Sequence, residues 1–165
     1  MHAKWQEFWD STKQEWFKVE VLQDYTGEDD GSSLQAWKAG EKEKSLALTL
    51  NKDLSWAKSK LYINKTRIHI VEEPFTEYLK WEIEHYRHVN IPIGREKVFL
   101  VDKKNIYELA IPDGDFCIFD NKKVVKNTYN KTGKCIRMNF YDESDDISLF
   151  LNLKNKLLEF AQPVK

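Results

Sequence analysis

The chain has 165 residues, 41% of them apolar and 32% charged, with a formal net charge of −1 at pH 7. That composition fits one folded domain over residues 1–165 with a real core, and excludes a disordered chain. So small a net charge gives no global attraction to nucleic acid or to an anionic membrane. No basic leader precedes an apolar segment and no apolar run reaches the ~18 residues of a spanning helix, so a cytoplasmic setting without a membrane partner is expected.

Trp5, Phe8, Trp9, Thr12 and Trp16 recur at helical spacing, which predicts an amphipathic helix over 3–16. From Phe17 the period becomes two: Phe17, Val19 and Val21 face one way, Lys18 and Glu20 the other, as in a strand. Residues 26–33 are polar and hold the acidic run Glu28, Asp29 and Asp30, which reads as a solvated loop. Ser32 or Ser33 can then cap a short helix through Trp37 that stops at Gly40. Residues 41–45 read as charged and exposed. Leu46, Leu48 and Leu50 alternate, whereas 51–60 reads as a helix carrying Leu54, Trp56 and Ala57, and the boundary between the two is open.

The stretch over 67–90 is the best punctuated. Ile68 and Ile70 alternate with Arg67, His69 and Val71, which predicts a strand with a mixed second face. Pro74 suits a first helical turn, and Glu77 places negative charge at the positive end of the helix dipole. At 100° per residue Phe75, Tyr78, Leu79, Ile83, Tyr86 and Val89 share an arc, and Glu82 falls inside it. A carboxylate in that position must be neutralised, paired or opened to a cavity, because leaving it dry and unpaired is costly. One account is an ion pair with Arg67 or Arg95. The other is a site, in which Glu82 lies close to His69 or His85 for acid/base work or ligand recognition.

After a turn at Pro92 and Gly94, residues 97–102 read as a strand buried on both faces, and Asp102 can cap a short helix through Leu109. Residues 115–120 form another short apolar strand, followed by two further strands over 124–129 and 134–141 in an antiparallel meander. This meander carries the basic residues Lys122, Lys123, Lys126, Lys131, Lys134 and Arg137. They either deter edge pairing or face phosphate. Acidic residues 142–146 lead into a final amphipathic helix that Pro163 ends. Cys117 and Cys135 read as reduced thiols, since a disulfide would require their strands to pair. His2, His69, His85 and His88 form no HExxH pair, and no metal or cofactor is expected.

Glu73, Pro74, Thr76, Tyr78, Trp81 and Glu82, then Gly94, then Asp115, Phe116, Phe119 and Asp120 together resemble an uncharacterised bacterial domain family of unknown function, common in actinobacteria. In that family a strand ending in EP precedes a T-x-Y-x-x-[WF]-E helix, a glycine turn and a D-F-x-x-F-D strand. The resemblance covers roughly 5–160. Cys117 stands where the family has a second aromatic, and Arg95 with Glu96 where an acidic pair is common. It implies a fold, and a setting near helix-turn-helix regulators, but no reaction. The strand order is also similar to one half of the phospholipase D-like fold. Asp113 and Asp115 stand where its His and Lys would be needed, so that resemblance implies no phosphodiesterase.

The expected architecture is α/β in the α+β sense: a mixed central sheet with a C-terminal antiparallel meander, covered by amphipathic helices. The expected function is non-catalytic binding or regulation, toward a partner protein or small ligand, with Arg67, Tyr78, Glu82 and Arg95 as ligand-binding candidates. A hydrolase or nuclease-like enzyme using Glu82 with His69 or His85 is the alternative. Contact with nucleic acid through Lys122, Lys123, Lys126, Lys131 and Lys134 is the third.

Overall fold

A computed structural model describes residues 2–25 and 31–165. The acidic run Glu28 to Asp30 lies outside them. The first helix, α1 (Ala3–Ser11), is shorter than the aromatic spacing suggests. Thr12 leaves helical backbone and turns its hydroxyl back to the Phe8 carbonyl at 2.8 Å, ending the helix. Trp16 therefore belongs to the first strand, β1 (Glu15–Glu20). Its helical spacing is a coincidence of two elements facing one core, where Trp16 meets Trp9 and Trp56 edge to face at 6.0 Å each. The link between α1 and β1 is held from far away, since Asp120 accepts from the backbone N–H groups of Lys13, Gln14 and Glu15 at 2.8, 2.8 and 2.9 Å.

The helical region resolves into α2 (Ser32–Lys38) and α3 (Lys42–Ala57). One helix spans both the leucine alternation and the segment after it, and residues 41–45 are not simply exposed, because Ser45 is buried. Ser33 does not cap α2: its hydroxyl crosses to the Ser45 carbonyl and the Thr49 hydroxyl, both at 2.8 Å.

Strand β2 (Asn64–Val71) follows the predicted alternation, and α4 (Glu77–His85) follows it. Pro74 does not open this helix. It lies before it in a cis peptide with Glu73, while Thr76 caps α4 by accepting from the Leu79 N–H at 3.0 Å. A single π-helical turn (Tyr86–Asn90) extends α4. Then come β3 (Glu96–Asp102), a 3-10 turn (Lys103–Ile106) capped by Asp102, β4 (Phe116–Phe119), β5 (Lys123–Tyr129), β6 (Cys135–Tyr141), α5 (Ser148–Glu159) and β7 (Gln162–Pro163). Asp120 and Asn121, the two central residues of the turn that the Lys122 N–H closes onto the Phe119 carbonyl at 3.0 Å between β4 and β5, both have positive φ, 51° and 56°. Pro163 does more than follow a helix, since β7 pairs antiparallel with the edge of β3.

Among the described residues the sheet has seven strands in the order β6-β5-β4-β1-β2-β3-β7. β1, β2 and β3 are parallel, β4 runs against β1, and β4, β5 and β6 form the antiparallel meander, so the mixed α+β architecture read from the sequence holds. β5 separates the strands of Cys117 and Cys135, which form no disulfide with each other. No described helix is long and apolar enough to cross a membrane.

Alternation sorts the central strands into two buried faces. One carries Phe17, Val19, Ile68, Ile70, Val101, Phe116, Ile118 and Val124, and packs on Phe150, Leu153 and Leu157 of α5. The other lies beneath α1, α3 and α4. There Trp5, Phe8, Trp9, Trp16 and Trp56 fill one end, and Val71, Leu79, Ile83 and Tyr86 another. Between these two aromatic and aliphatic patches the second face is charged.

Candidate functional site

Lys18 and Glu20 on β1 and Lys65, Arg67 and His69 on β2 recur with the two-residue period of a strand, so each set emerges on one side of the sheet. Parallel pairing sets Lys18 opposite Arg67 and Glu20 opposite His69, while Glu96 of β3 lies opposite Lys65. Glu20, Lys65, Arg67, His69 and Glu96 are all buried. Charges this dry persist only when they satisfy one another.

Arg67 is the hub. It donates through Nη1 to Glu20 Oε1 at 2.8 Å and through Nε to Glu96 Oε2 at 3.0 Å. Its guanidinium carbon lies 5.6 Å from the Trp16 ring and 5.4 Å from the Tyr86 ring, within cation–π range of both. Burial opposes its charge, but Glu20 and Glu96 outweigh that and hold its pKa well above the usual arginine value. Lys18 adds a second cation at 2.5 Å from the same Glu20 Oε1. Burial pushes the Glu20 carboxyl up, and Arg67 and Lys18 more than reverse this, so its pKa is well below the carboxylate range. Lys65 points elsewhere and donates to the carbonyls of Ala57 and Ser59 at 3.1 Å each, where α3 ends and a cation suits the helix dipole.

Glu82 is the inward carboxylate that the helical arc indicated, and it is 9% exposed. It does not pair with Arg67 or Arg95 as the ion-pair account required. Arg67 is committed to Glu20 and Glu96, and Arg95 is exposed in the turn before β3, with φ 54°. Glu82 Oε2 is instead buried without a hydrogen-bond partner, 3.5 Å from His69 Nδ1. Burial first, and the neighbouring Glu20 next, raise its pKa well above the carboxylate range against the pull of Arg67 and Lys18.

His69 is fully buried and its protonation is dictated by its surroundings. Nε2 lies 2.6 Å from the Leu22 carbonyl oxygen, which can only accept, so the proton of the neutral ring is on Nε2 and Nδ1 carries a lone pair. Burial lowers the ring's pKa, which favours this neutral form. Nδ1 lies 2.9 Å from the Tyr86 hydroxyl, and that hydroxyl donates to Glu20 Oε2 at 2.7 Å.

Above these groups a cavity of about 360 Å³ opens between the sheet, the C-terminal half of α3, and α4 with its π turn. Lys18, Glu20, Arg67 and Glu82 form its charged floor, Tyr25, Tyr78, Tyr86 and Tyr129 stand around it, and Asp53, Trp56 and Asn90 complete the wall. Asp115 bounds the far side. It accepts from the Val21 N–H at 2.9 Å and from the hydroxyls of Tyr25 and Tyr129 at 2.7 and 2.8 Å. Burial outweighs Lys18 and raises its pKa to about 6. Gly114 lets this happen: with φ 98°, a Cβ there would come 1.9 Å from the Asn127 carbonyl oxygen of β5.

The sequence candidates thus divide. Arg67, His69, Tyr78 and Glu82 come together, and His85 reaches the cavity rim, bonded through Nε2 to the Thr49 hydroxyl and packed 4.2 Å from Trp81. Burial, then the Lys52 charge, lower the His85 pKa to about 4. Arg95 stands apart. The basic residues of the meander are not gathered into one patch: Lys122 and Lys123 lie at the start of β5, where Lys123 covers the Phe8 ring at 5.0 Å, whereas Lys131 and Lys134 lie beyond its other end. Lys126 lies within β5 between them.

Glu20, Lys18, Tyr25, Tyr86, Asp115 and Tyr129 were not singled out as site residues by their spacing. Glu20 and Lys18 read as the ordinary solvent side of a strand, and only the pairing of β1 with β2 and β4 reveals that this side is covered. Asp115 had one signal, its place in the D-F-x-x-F-D pattern. No curated protein matches the chain. A family model matches residues 3–165, which is nearly the whole molecule including every residue of the site, and the chain belongs to that family, the domain of unknown function DUF6879.

Proposed function

We propose that this domain binds a small polar ligand in the cavity over the charged face of the sheet, and that the ligand presents a hydrogen-bond donor or a cation to Glu82. The observation that carries the reading is Glu82 Oε2, a buried carboxylate oxygen with no partner, on a side chain that lines a cavity of about 360 Å³. Such an oxygen is costly to leave unmatched, and a bound group removes the cost. The volume is that of a small ligand site, and charged groups fixed by one another make a preorganised floor. The position, above the carboxyl ends of parallel strands β1 and β2, is where open α/β sheets generally receive ligands.

Catalysis finds less support. His69, the candidate base nearest Glu82, is fully buried and has Nε2 committed to a backbone carbonyl. His85 is engaged with Thr49 and holds a pKa of about 4, too low for a base poised near neutral pH. For nucleic-acid contact, the meander lysines among the described residues are divided between the two ends of β5.

A thermal-shift screen of small polar metabolites and inorganic salts against the wild-type chain and Glu82→Gln tests the reading. A ligand present at a hundredfold excess over its Kd raises Tm by roughly 5–10 °C for a domain of this size. Glu82→Gln should lose most of that shift. Wild-type protein that responds to nothing, or a variant that responds equally, overturns the reading.

A further inference from the structure

Three acceptors converge beneath the floor of the cavity: one ligand atom each from Glu20, His69 and Glu82 lies within 4.8 Å of the other two, with His69 Nδ1 3.8 Å from Glu20 Oε2 and 3.5 Å from Glu82 Oε2. One donor serves them. The Tyr86 hydroxyl lies 2.7 Å from Glu20 Oε2 and 2.9 Å from His69 Nδ1, and its single proton serves one of them at a time, while Glu82 Oε2 has no donor at all. Protonating Glu82 does not close the gap, since 3.5 Å from Oε2 to Nδ1 is too long for an O–H···N bond. From this surplus of lone pairs we infer that Glu20, His69 and Glu82 hold a divalent transition-metal cation of the zinc or manganese type, with the Tyr86 hydroxyl as a fourth ligand within reach.

The geometry accommodates an ion. Two metal–ligand bonds of ~2.1 Å span at most ~4.2 Å. The Nδ1 to Glu82 and Nδ1 to Glu20 separations, 3.5 and 3.8 Å, already fit. The two carboxylate oxygens, within 4.8 Å, draw closer on binding, since the ligands of a tetrahedral ion lie about 3.4 Å apart at that bond length. Lys18 and Arg67 occupy Glu20 Oε1, so the ion takes Oε2, whose other neighbour is the Tyr86 hydroxyl. The Leu22 carbonyl, accepting from Nε2–H at 2.6 Å, is the outer partner that orients a metal-binding imidazole and fixes its tautomer. One imidazole with two or three oxygens suits manganese, iron or zinc better than calcium. No sequence motif marks this set, because its members come from β1, β2 and α4.

This inference rests on the cavity reading and names the cation that Glu82 meets. Zinc, manganese and cobalt chlorides are titrated into the full chain by calorimetry, with the visible absorption of cobalt as a report on its ligands. The isosteric Glu82→Gln tests the site, and His88→Ala removes the exposed Glu84–His88 pair, 3.4 Å apart, as a competing surface site. Expected are one ion per wild-type chain, binding at least about tenfold weaker in Glu82→Gln, and no change in His88→Ala. Absence of uptake by the wild type, uptake indifferent to Glu82→Gln, or uptake abolished by His88→Ala overturns the metal. If an organic ligand nevertheless stabilises the protein through Glu82, the cavity reading survives the loss of the metal; if neither binds, both fall.

Discussion

The two faces of the sheet are buried by opposite means. Under α5, Phe17, Ile68, Phe116 and Leu157 are held by the area they remove from water, and each contributes largely on its own. On the other face Glu20, Arg67 and Glu96 are held by one another. An apolar core loses stability in proportion to what is cut away, whereas a buried charge network loses it through what is left behind.

The largest expected effect breaks the charged side. Arg67→Ala leaves Glu20 and Glu96 buried without their shared cation and should cost roughly 4 kcal/mol, measured by urea denaturation. On the apolar side Leu157→Ala, at a fully buried position, should cost about 3 kcal/mol, through lost transfer energy and the cavity left behind. If Arg67→Ala proves milder than Leu157→Ala, water reaches the charged face and the contrast between the faces is weaker than the burial implies.

The smallest effect concerns pH. His85 has its folded pKa lowered to about 4 from 6.5, so the unfolded chain binds the proton more readily. Its contribution is complete above pH 6.5 and falls as pH drops toward 4, by roughly 2 kcal/mol. Asp115, raised to about 6, works in the other direction, gaining stability as pH falls through that value. The measurement is therefore a difference: stability of wild type minus His85→Gln between pH 7 and 4.5. A difference that stays flat means that His85 is solvated in the folded state.

Much of the frame was legible because it is local. The alternation of Arg67, Ile68, His69 and Ile70 assigns sides within β2, and the 100° arc of α4 turns Glu82 inward without knowledge of any neighbour. What failed was partnership. Arg95 is near Glu82 in sequence, but a positive φ turns the chain outward there, while Glu20, 62 residues before Glu82, comes within reach through the parallel pairing of β1 with β2. Trp16 and Pro74 misled for a related reason. A period can run on past the end of an element when the next one faces the same core, and a proline suited to a helix start is equally suited to the turn before it.

The order of the meander has a redox consequence. Cys117 on β4 is sealed beneath α1, and burial pushes its thiol up to about 12, so it carries almost no thiolate at neutral pH. Cys135 sits two strands away, with β5 in between. While the sheet is intact the two sulfurs have no route to each other, so an oxidising medium cannot staple this domain within itself. Of the two sulfurs it is that of Cys135, half-buried at the start of β6, that lies nearer to solvent.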